Sequence, residues 1–319
     1  MTRLVVVVGA GPAGLSAATE AASAGASVLV FDERSEPGGQ LRYRVQPVTD
    51  VAGATAVRPA DLIERLVDGA IAAGVTFRTD AAVAGCFADN ELLIVEDGMA
   101  ARIKPDALIV ATGAADLPYP FSGATLPGVF SRGGLQILLN QHRVLPGRRF
   151  AIIGGGTDAE ELAVDIMLAE GDIVWSGIAP APFLRADGAH GVQRLTVGHD
   201  EHAVDVIAVA VGRQSDSALA TMAGTPLAFC PQMGGLVSQV DDRLQSPIPG
   251  LFVAGDAAGV GSVAAAVAEG RLAGIAAAAL LGLADGEVVA QVRAAGGAEL
   301  AWRISTRASL SAVSVQPYG

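Results

Sequence analysis

The sequence predicts an α/β protein built from two parallel-sheet units, the second inserted into the first and shortened. Three observations carry that expectation. Residues 4–8 form an apolar, β-branched run that passes into Gly9-Ala10-Gly11-Pro12-Ala13-Gly14 and then into alanine-rich helical sequence. The same order returns at 150–169, where Phe150-Ala151-Ile152-Ile153 meets Gly154-Gly155-Gly156-Thr157-Asp158-Ala159 and a second helical stretch. Near the end, an apolar strand over 251–254 reaches Gly255-Asp256 and a long Ala-rich helix, which brings the chain back to the first unit. At 319 residues the chain is long enough for two proper cores.

The first turn is G-x-G-x-x-G between a strand and a helix, the context in which that spacing binds a dinucleotide. Gly9 permits the tight turn, Gly11 lets backbone N–H groups approach a pyrophosphate, and Gly14 lets the helix lie on the strand. The helix over 13–24 aims its positive end at the phosphates, and Gly25 closes it. A strand over 27–31 delivers Asp32, eighteen residues past Gly14 and placed to accept from a ribose hydroxyl, followed by Glu33. Pro37-Gly38-Gly39-Gln40 then offers two consecutive glycines for close backbone approach to a bulky ligand. Residues 42–58 read as loop, with Arg42, Tyr43 and Arg44 either holding a carboxylate substrate or lying in an exposed basic loop. Helical spacing of Leu62, Ile63, Leu66, Val67 and Ile71 after Pro59 predicts a helix through 73. Short strands and a meander follow, then a buried strand over 106–111 that ends in Ala111-Thr112-Gly113.

Prolines and glycines across 114–134 read as a linker, and a short helix is expected over 135–141. The second turn, with Gly154, Gly156 and Ala159 in the glycine-motif positions, is a possible second nucleotide site. Eighteen residues past Ala159 stands Gly177, not a carboxylate, and no arginine appears before Arg185, which argues against NAD(P) there. Between Gly177 and the strand over 206–211 there is room for little more than a hairpin. His199-Asp200-Glu201-His202 reads as its solvated tip, since consecutive side chains point apart. The tail from 284 reads as one short helix and irregular chain. Its Val288, Val289, Val292, Leu300 and Trp302 would pack on the chain's own surface, on a twin or on a partner.

Composition narrows the function. A net charge of −12 argues against nucleic acid or an anionic membrane surface as partner. The apolar stretch over 263–283 carries Glu269 and Arg271, so it reads as a buried helix of a cytoplasmic protein rather than a membrane span. The two cysteines, Cys86 and Cys230, form no C-x-x-C pair and no cluster or zinc set. No metal site is expected, and no catalytic residue stands out.

Taken together, residues 9–14 with Asp32, Pro37-Gly38-Gly39-Gln40, Ala111-Thr112-Gly113 and Gly255-Asp256 resemble the two-dinucleotide-binding-domain flavoproteins of the thioredoxin-reductase type, over roughly residues 1–283. The resemblance implies an FAD-binding Rossmann-like domain over 1–117 and 235–286, an inserted, shortened NAD(P)-binding-like Rossmann domain over 118–234, and a tail over 287–319. It places FAD on Gly9, Gly11, Pro12, Ala13, Gly14, Asp32, Glu33, Gly38, Gly39, Gln40, Ala111, Thr112, Gly113, Gly255 and Asp256. The stretch Ala111-Thr112-Gly113-Ala114 through Pro118, Pro120 and Phe121, with Leu126-Pro127-Gly128-Val129, Gly133, Gly134 and Gln136, is similar to the FAD subunits of multicomponent amine and imino-acid dehydrogenases. Those include the opine oxidase, hydroxyproline dehydrogenase and hydrogen cyanide synthase types. This implies an FAD-dependent oxidoreductase that meets a small amine or imino acid through a partner subunit, in a homo- or hetero-oligomer. Two alternatives stay open: a free-standing NAD(P)H-dependent reductase of a carrier protein, and a flavin-bearing scaffold. Thiol–disulfide exchange is set aside for want of a cysteine pair.

Overall fold

The computed structural model describes residues 3–49, 56–310 and 312–313. It divides into two compact units: Met1–Leu41, Pro47–Ala114 and Gln214–Gly319 in one, Arg42–Gln46 and Ala115–Arg213 in the other.

The first unit is built on a five-stranded parallel sheet in the order Leu251–Val253, Ala107–Val110, Leu4–Val8, Ser27–Phe31, Thr76–Arg78. Val5, Val6 and Val7 are wholly buried, as a parallel strand covered on both faces requires. Because every strand runs the same way, the turns after Val8, Val110 and Val253 all leave from the carboxyl edge, where open α/β sheets bind ligands. The helix Pro12–Ser23 packs along the helix Val263–Leu280, and side chains at Gly270 and Gly274 would collide with the carbonyls of Ala13 and Ala17. Val263–Leu280 is long and apolar enough to cross a membrane, yet most of it, Glu269 included, is buried within the protein. It is a core helix.

Beside this sheet lie the helix Pro59–Ala72 and a three-stranded meander, Ala81–Cys86, Leu92–Glu96 and Met99–Ile103. The tail departs from the expectation of one short helix and irregular chain: it forms two helices, Gly286–Ala295 and Gly297–Ala308. Gly297, at φ +76°, breaks them apart. Val289 and Leu300 are buried in the first unit's core, while Val288 and Trp302 stay partly exposed.

The second unit holds a four-stranded parallel sheet in the order Val129–Ser131, Val206–Ala210, Arg149–Gly154, Asp172–Gly177. The stretch 114–134 is therefore not all linker. Val129–Ser131 is a sheet strand, and Ala114–Asp116 pairs with Arg213–Ser215. The expected hairpin is a three-stranded antiparallel sheet, Leu184–Asp187, Arg194–Val197 and Asp200–Ala203, whose last turn is only Gly198 and His199. The short helix is Arg132–Gln136, continued by a π turn over Ile137–Gln141. Within 42–58, the turn Gly39–Tyr43 is 3-10 helical and Val48–Thr49 pairs with Ala56–Val57; residues 50–55 lie outside the described residues.

Candidate functional site

The carboxyl edge of the first sheet gathers the expected glycine turns. A Cβ on Gly14 would collide with Gly9 O, so the helix Pro12–Ser23 can start where it does only with glycine there. Gly38 N donates to Ala10 O at 2.8 Å, which lays the second glycine loop against the first. Gly39, at φ +56°, would put a Cβ 2.9 Å from Gly11 Cα, so the two backbones meet with nothing between them. Gln40 Nε2 donates to Ala114 O and ties that loop to the segment after Ala111, Thr112 and Gly113. Thr112 Oγ1 in turn donates to Asp216 O at 2.8 Å. From the third strand, Gly255 packs on Ala13, with a Cβ position 2.6 Å from Ala13 Cβ, and Asp256 Oδ1 accepts from Gly261 N at 3.0 Å.

This edge fits a dinucleotide flavin by its own construction. The helix Pro12–Ser23 has Gly11 as N-cap, no side chain capping its first N–H groups and no acidic residue in its first turn. Free N–H groups at a positive helix end suit a pyrophosphate. Side chains on Gly11 or Gly39 would fill the cradle those groups line.

The two carboxylates after Phe31 differ. Asp32 is buried, its Oδ2 accepting from Ala10 N at 2.6 Å and its Oδ1 from Arg34 N at 2.9 Å. It braces the first glycine turn from inside. Glu33, the next residue, is exposed.

The second glycine turn is made differently. Gly154 ends its strand against Ala210, Gly156 opens the helix Gly156–Leu168 at φ +67°, and Ala159 is buried beneath it. The first turn of this helix carries Asp158, whose carboxylate faces Arg132 Nη1 at 3.5 Å and Arg213 Nε at 3.4 Å. The carboxylate is paired with these two arginines and caps no backbone N–H, but it puts an acid in the first turn, where the helix Pro12–Ser23 has none. Arg185, the arginine nearest to Gly177 along the chain, donates from Nε to Asp187 Oδ1 at 2.9 Å.

The basic loop has a structural use. Tyr43 is buried and Arg44 pairs with Glu161, so Arg44 is neither exposed nor available to a substrate carboxylate. Gln46 Nε2 and Gln136 Nε2 donate to the buried Asp165 at 2.6 and 2.7 Å. Burial pushes the Asp165 carboxyl above its ordinary range, although those amides pull the other way. At the 198–202 turn His199, Asp200 and Glu201 are exposed, His202 lies near the Trp175 ring, and no metal-holding cluster occurs among the described residues. Cys86 and Cys230 are both buried and unpaired.

Sequence reasoning missed one cluster at this edge. Glu269, wholly buried, pairs with Arg303 Nε at 2.6 Å and with Arg307, and its Oε2 accepts from Gly255 N at 2.9 Å. Burial raises the Glu269 carboxyl, but the charges of Arg307 and Arg303 outweigh it and hold the group below the usual carboxylate range. Two signals stood in the sequence: an acid in mid-helix among alanines, and arginines four residues apart.

Comparisons with known proteins agree with this construction. The family model described as pyridine nucleotide-disulphide oxidoreductase matches residues 3–174 and 182–270. An opine oxidase subunit of Rhizobium meliloti (strain 1021) is 29% identical over 329 residues, covering 87% of this chain and 71% of the relative. Its namesake in Agrobacterium tumefaciens (strain Ach5) is 30% identical, covering 86% of this chain and 65% of the relative. The crystal structure of L-proline dehydrogenase from P. horikoshii matches with a TM-score of 0.77 at 23% identity, covering 99% of this chain and 60% of that one, a likeness of fold. The chain thus spans about two thirds of the length of these proteins. With most of its length matched and its sheet edge built for a dinucleotide flavin, the chain belongs to the pyridine nucleotide-disulphide oxidoreductase family, as an FAD-dependent oxidoreductase without the thiol pair.

Proposed function

We propose that the chain is the FAD-carrying subunit of an amine or imino-acid dehydrogenase of the opine, proline or hydroxyproline kind, acting in the cytoplasm with a second, partner chain. The observation that carries this is an imbalance within one chain. The first glycine turn ends in a helix with no acid in its first turn, which suits a dinucleotide phosphate, while the second carries Asp158 in its helix's first turn, has Gly177 where a ribose-reading carboxylate would stand, and the two cysteines form no pair for disulfide work. In this reading the electrons come from something other than NAD(P)H or a dithiol. Both opine oxidase relatives are named as subunits, which supports an oxidisable amine as the source and a second chain beside this one.

In this reading the backbone N–H groups of Gly11, Ala13 and Gly14 hold the pyrophosphate, while Gly9, whose N–H donates to Phe31 O, makes the turn and Pro12, which has no N–H, opens the helix. Glu33 accepts from the ribose, and Asp32 keeps the turn in shape. Gly38, Gly39 and Gln40 lie along the ring system, with Ala111, Thr112, Gly113, Gly255 and Asp256 closing the other side. Bound FAD supplies the two-electron acceptor, and the protein binds and orients. The flavin-holding residues fall in the first unit, within 1–41, 47–114 and 214–319, and the insert ends at 213 rather than at 234 as the resemblance implied.

The test is anaerobic reduction of the purified holoprotein, alone and after co-expression with the products of adjacent genes, by proline, hydroxyproline and an opine. Amine-dependent dye reduction that needs the co-expressed chain is the expected result. Full-rate amine oxidation by the isolated chain, or no amine response in any assembly, would overturn the proposal.

A further inference from the structure

Glu299, Arg303 and Arg307 stand four residues apart on the helix Gly297–Ala308 and so share one face. That face lies on the backbone of residues 258–262. Glu299 Oε2 accepts from Ser262 Oγ at 2.7 Å, and Oε1 from Ser262 N at 3.4 Å. Arg303 donates to the carbonyls of Gly259 and Val260, the latter at 3.2 Å. Arg307 Nε donates to Ala258 O at 3.0 Å. Behind the two guanidiniums sits Glu269, which also takes the N–H of Gly255, so the loop is gripped at both ends.

The residues held this way are not ordinary core. They leave the carboxyl end of Leu251–Val253 on the edge from which the turns after Val8 and Val110 emerge, and Gly255 touches the first turn of the helix Pro12–Ser23. Gly255, Gly259 and Gly261 make this loop intrinsically loose, and fixing it costs backbone entropy. Stability alone does not call for ions here, since well-packed apolar side chains serve as well as a buried ion set or better. Charge-assisted bonds to successive loop carbonyls supply what an apolar contact cannot, a fixed direction for each peptide unit.

We propose that the Glu299–Arg303–Arg307 face is a flavin-positioning device, which fixes the backbone of residues 255–262 against FAD and thereby sets the affinity and reduction potential of the flavin. It rests on the flavin assignment above, and none of the three residues need touch the cofactor.

The experiment uses the full chain, comparing wild type with Glu299→Gln, Arg303→Lys and Arg303→Met. Deflavinated protein is titrated with FAD by fluorescence quenching, the midpoint potential of the holoprotein is measured against reference dyes, and apoprotein melting is recorded. In Glu299→Gln and Arg303→Lys, FAD binding should weaken by about tenfold, the worth of one charge-assisted hydrogen bond, with a shifted midpoint potential. Arg303→Lys should recover part of what Arg303→Met loses, since lysine keeps the charge and not the fork. Glu299 makes its contacts at the surface, so Glu299→Gln should melt as wild type does; it carries the test if Arg303→Met does not fold. Affinity within about twofold of wild type and an unchanged potential in both conservative variants would overturn the positioning role alone. Wild-type protein that takes up no FAD would overturn the flavin assignment and the role together.

Discussion

The contrast between Asp32 and Glu33 can be turned into a measurement. Replacing Asp32 by Ala removes the acceptor of two backbone N–H groups. The Ala10 N–H is buried and would be left without a partner, at about 1–3 kcal/mol. The Arg34 N–H is only partly buried and can turn to water, so it adds little. Apoprotein stability should therefore fall by about 2 kcal/mol, a sizeable part of the roughly 5–15 kcal/mol that holds a folded protein together. Asp32→Asn keeps one acceptor and turns an amide donor toward the other N–H, so its loss should be about half as large, near 1 kcal/mol. Glu33→Gln is the opposite case. An exposed side chain outside any network should change apoprotein stability by less than about 0.5 kcal/mol. If Glu33 accepts from the ribose, FAD binding should weaken by about 10- to 100-fold, from the loss of about 1.5–3 kcal/mol of charge-assisted bonding. Urea unfolding of the apoproteins and FAD titration of each variant separate the two quantities. An Asp32→Ala apoprotein as stable as wild type, with only its FAD affinity reduced, would refute the reasoning and return the ribose to Asp32.

Two further outcomes follow from the second unit. NADH and NADPH at micromolar concentration should reduce the bound flavin only slowly, because Gly177 stands where a ribose-reading carboxylate would and Asp158 adds an acid to the helix's first turn; fast bleaching in a stopped-flow instrument would contradict this. Asp205 is held at about 2, chiefly by the Arg149 side chain, then by the Arg149 backbone N–H, with the Arg148 N–H adding to them. A carboxyl depressed in the folded state stabilises above its unfolded value, near pH 4, and that contribution disappears as pH falls toward 2. The pair is partly exposed, so solvent screening limits the effect to under about 1 kcal/mol. Acid unfolding of Asp205→Asn should be correspondingly flatter between about pH 4 and pH 2 than that of wild type.

The parts of the fold that were legible are those whose local pattern and final environment agree. Val5 to Val8 form a continuous apolar run because the strand is covered on both faces, and the glycine spacing that follows has few other uses. Val129–Ser131 was hidden because Pro127 and Gly128 sit directly before it, and such residues mark loops more often than sheet strands. Met99–Ile103 was hidden for the opposite reason: four of its five residues are exposed, so no alternation betrays it. At the site, position along the chain marked Asp32 and Glu33 but could not show that one carboxylate is buried and the other exposed. Asp32 turned inward to Ala10 only because the glycine turn brings that N–H within reach. Arg44, Arg303 and Arg307 were illegible as ion-pair partners, since each pairs with an acid more than thirty residues away.

The first unit is also discontinuous, and that bears on how the protein is made. Its sheet places Leu251–Val253 at one edge and Leu4–Val8 in the middle, so a chain growing on the ribosome carries the central strand long before the edge strand exists. The 115–213 segment can close most of its own sheet while the first unit still waits for its last strand and its core helix. Contacts between residues so distant in sequence are slow to form, and the exposed strand edge beside Ala107–Val110 is open to misassembly in the meantime. With the loop at 255–262 closing the flavin site as proposed, cofactor would be captured only after that loop has been synthesised and seated, making flavin loading a late event.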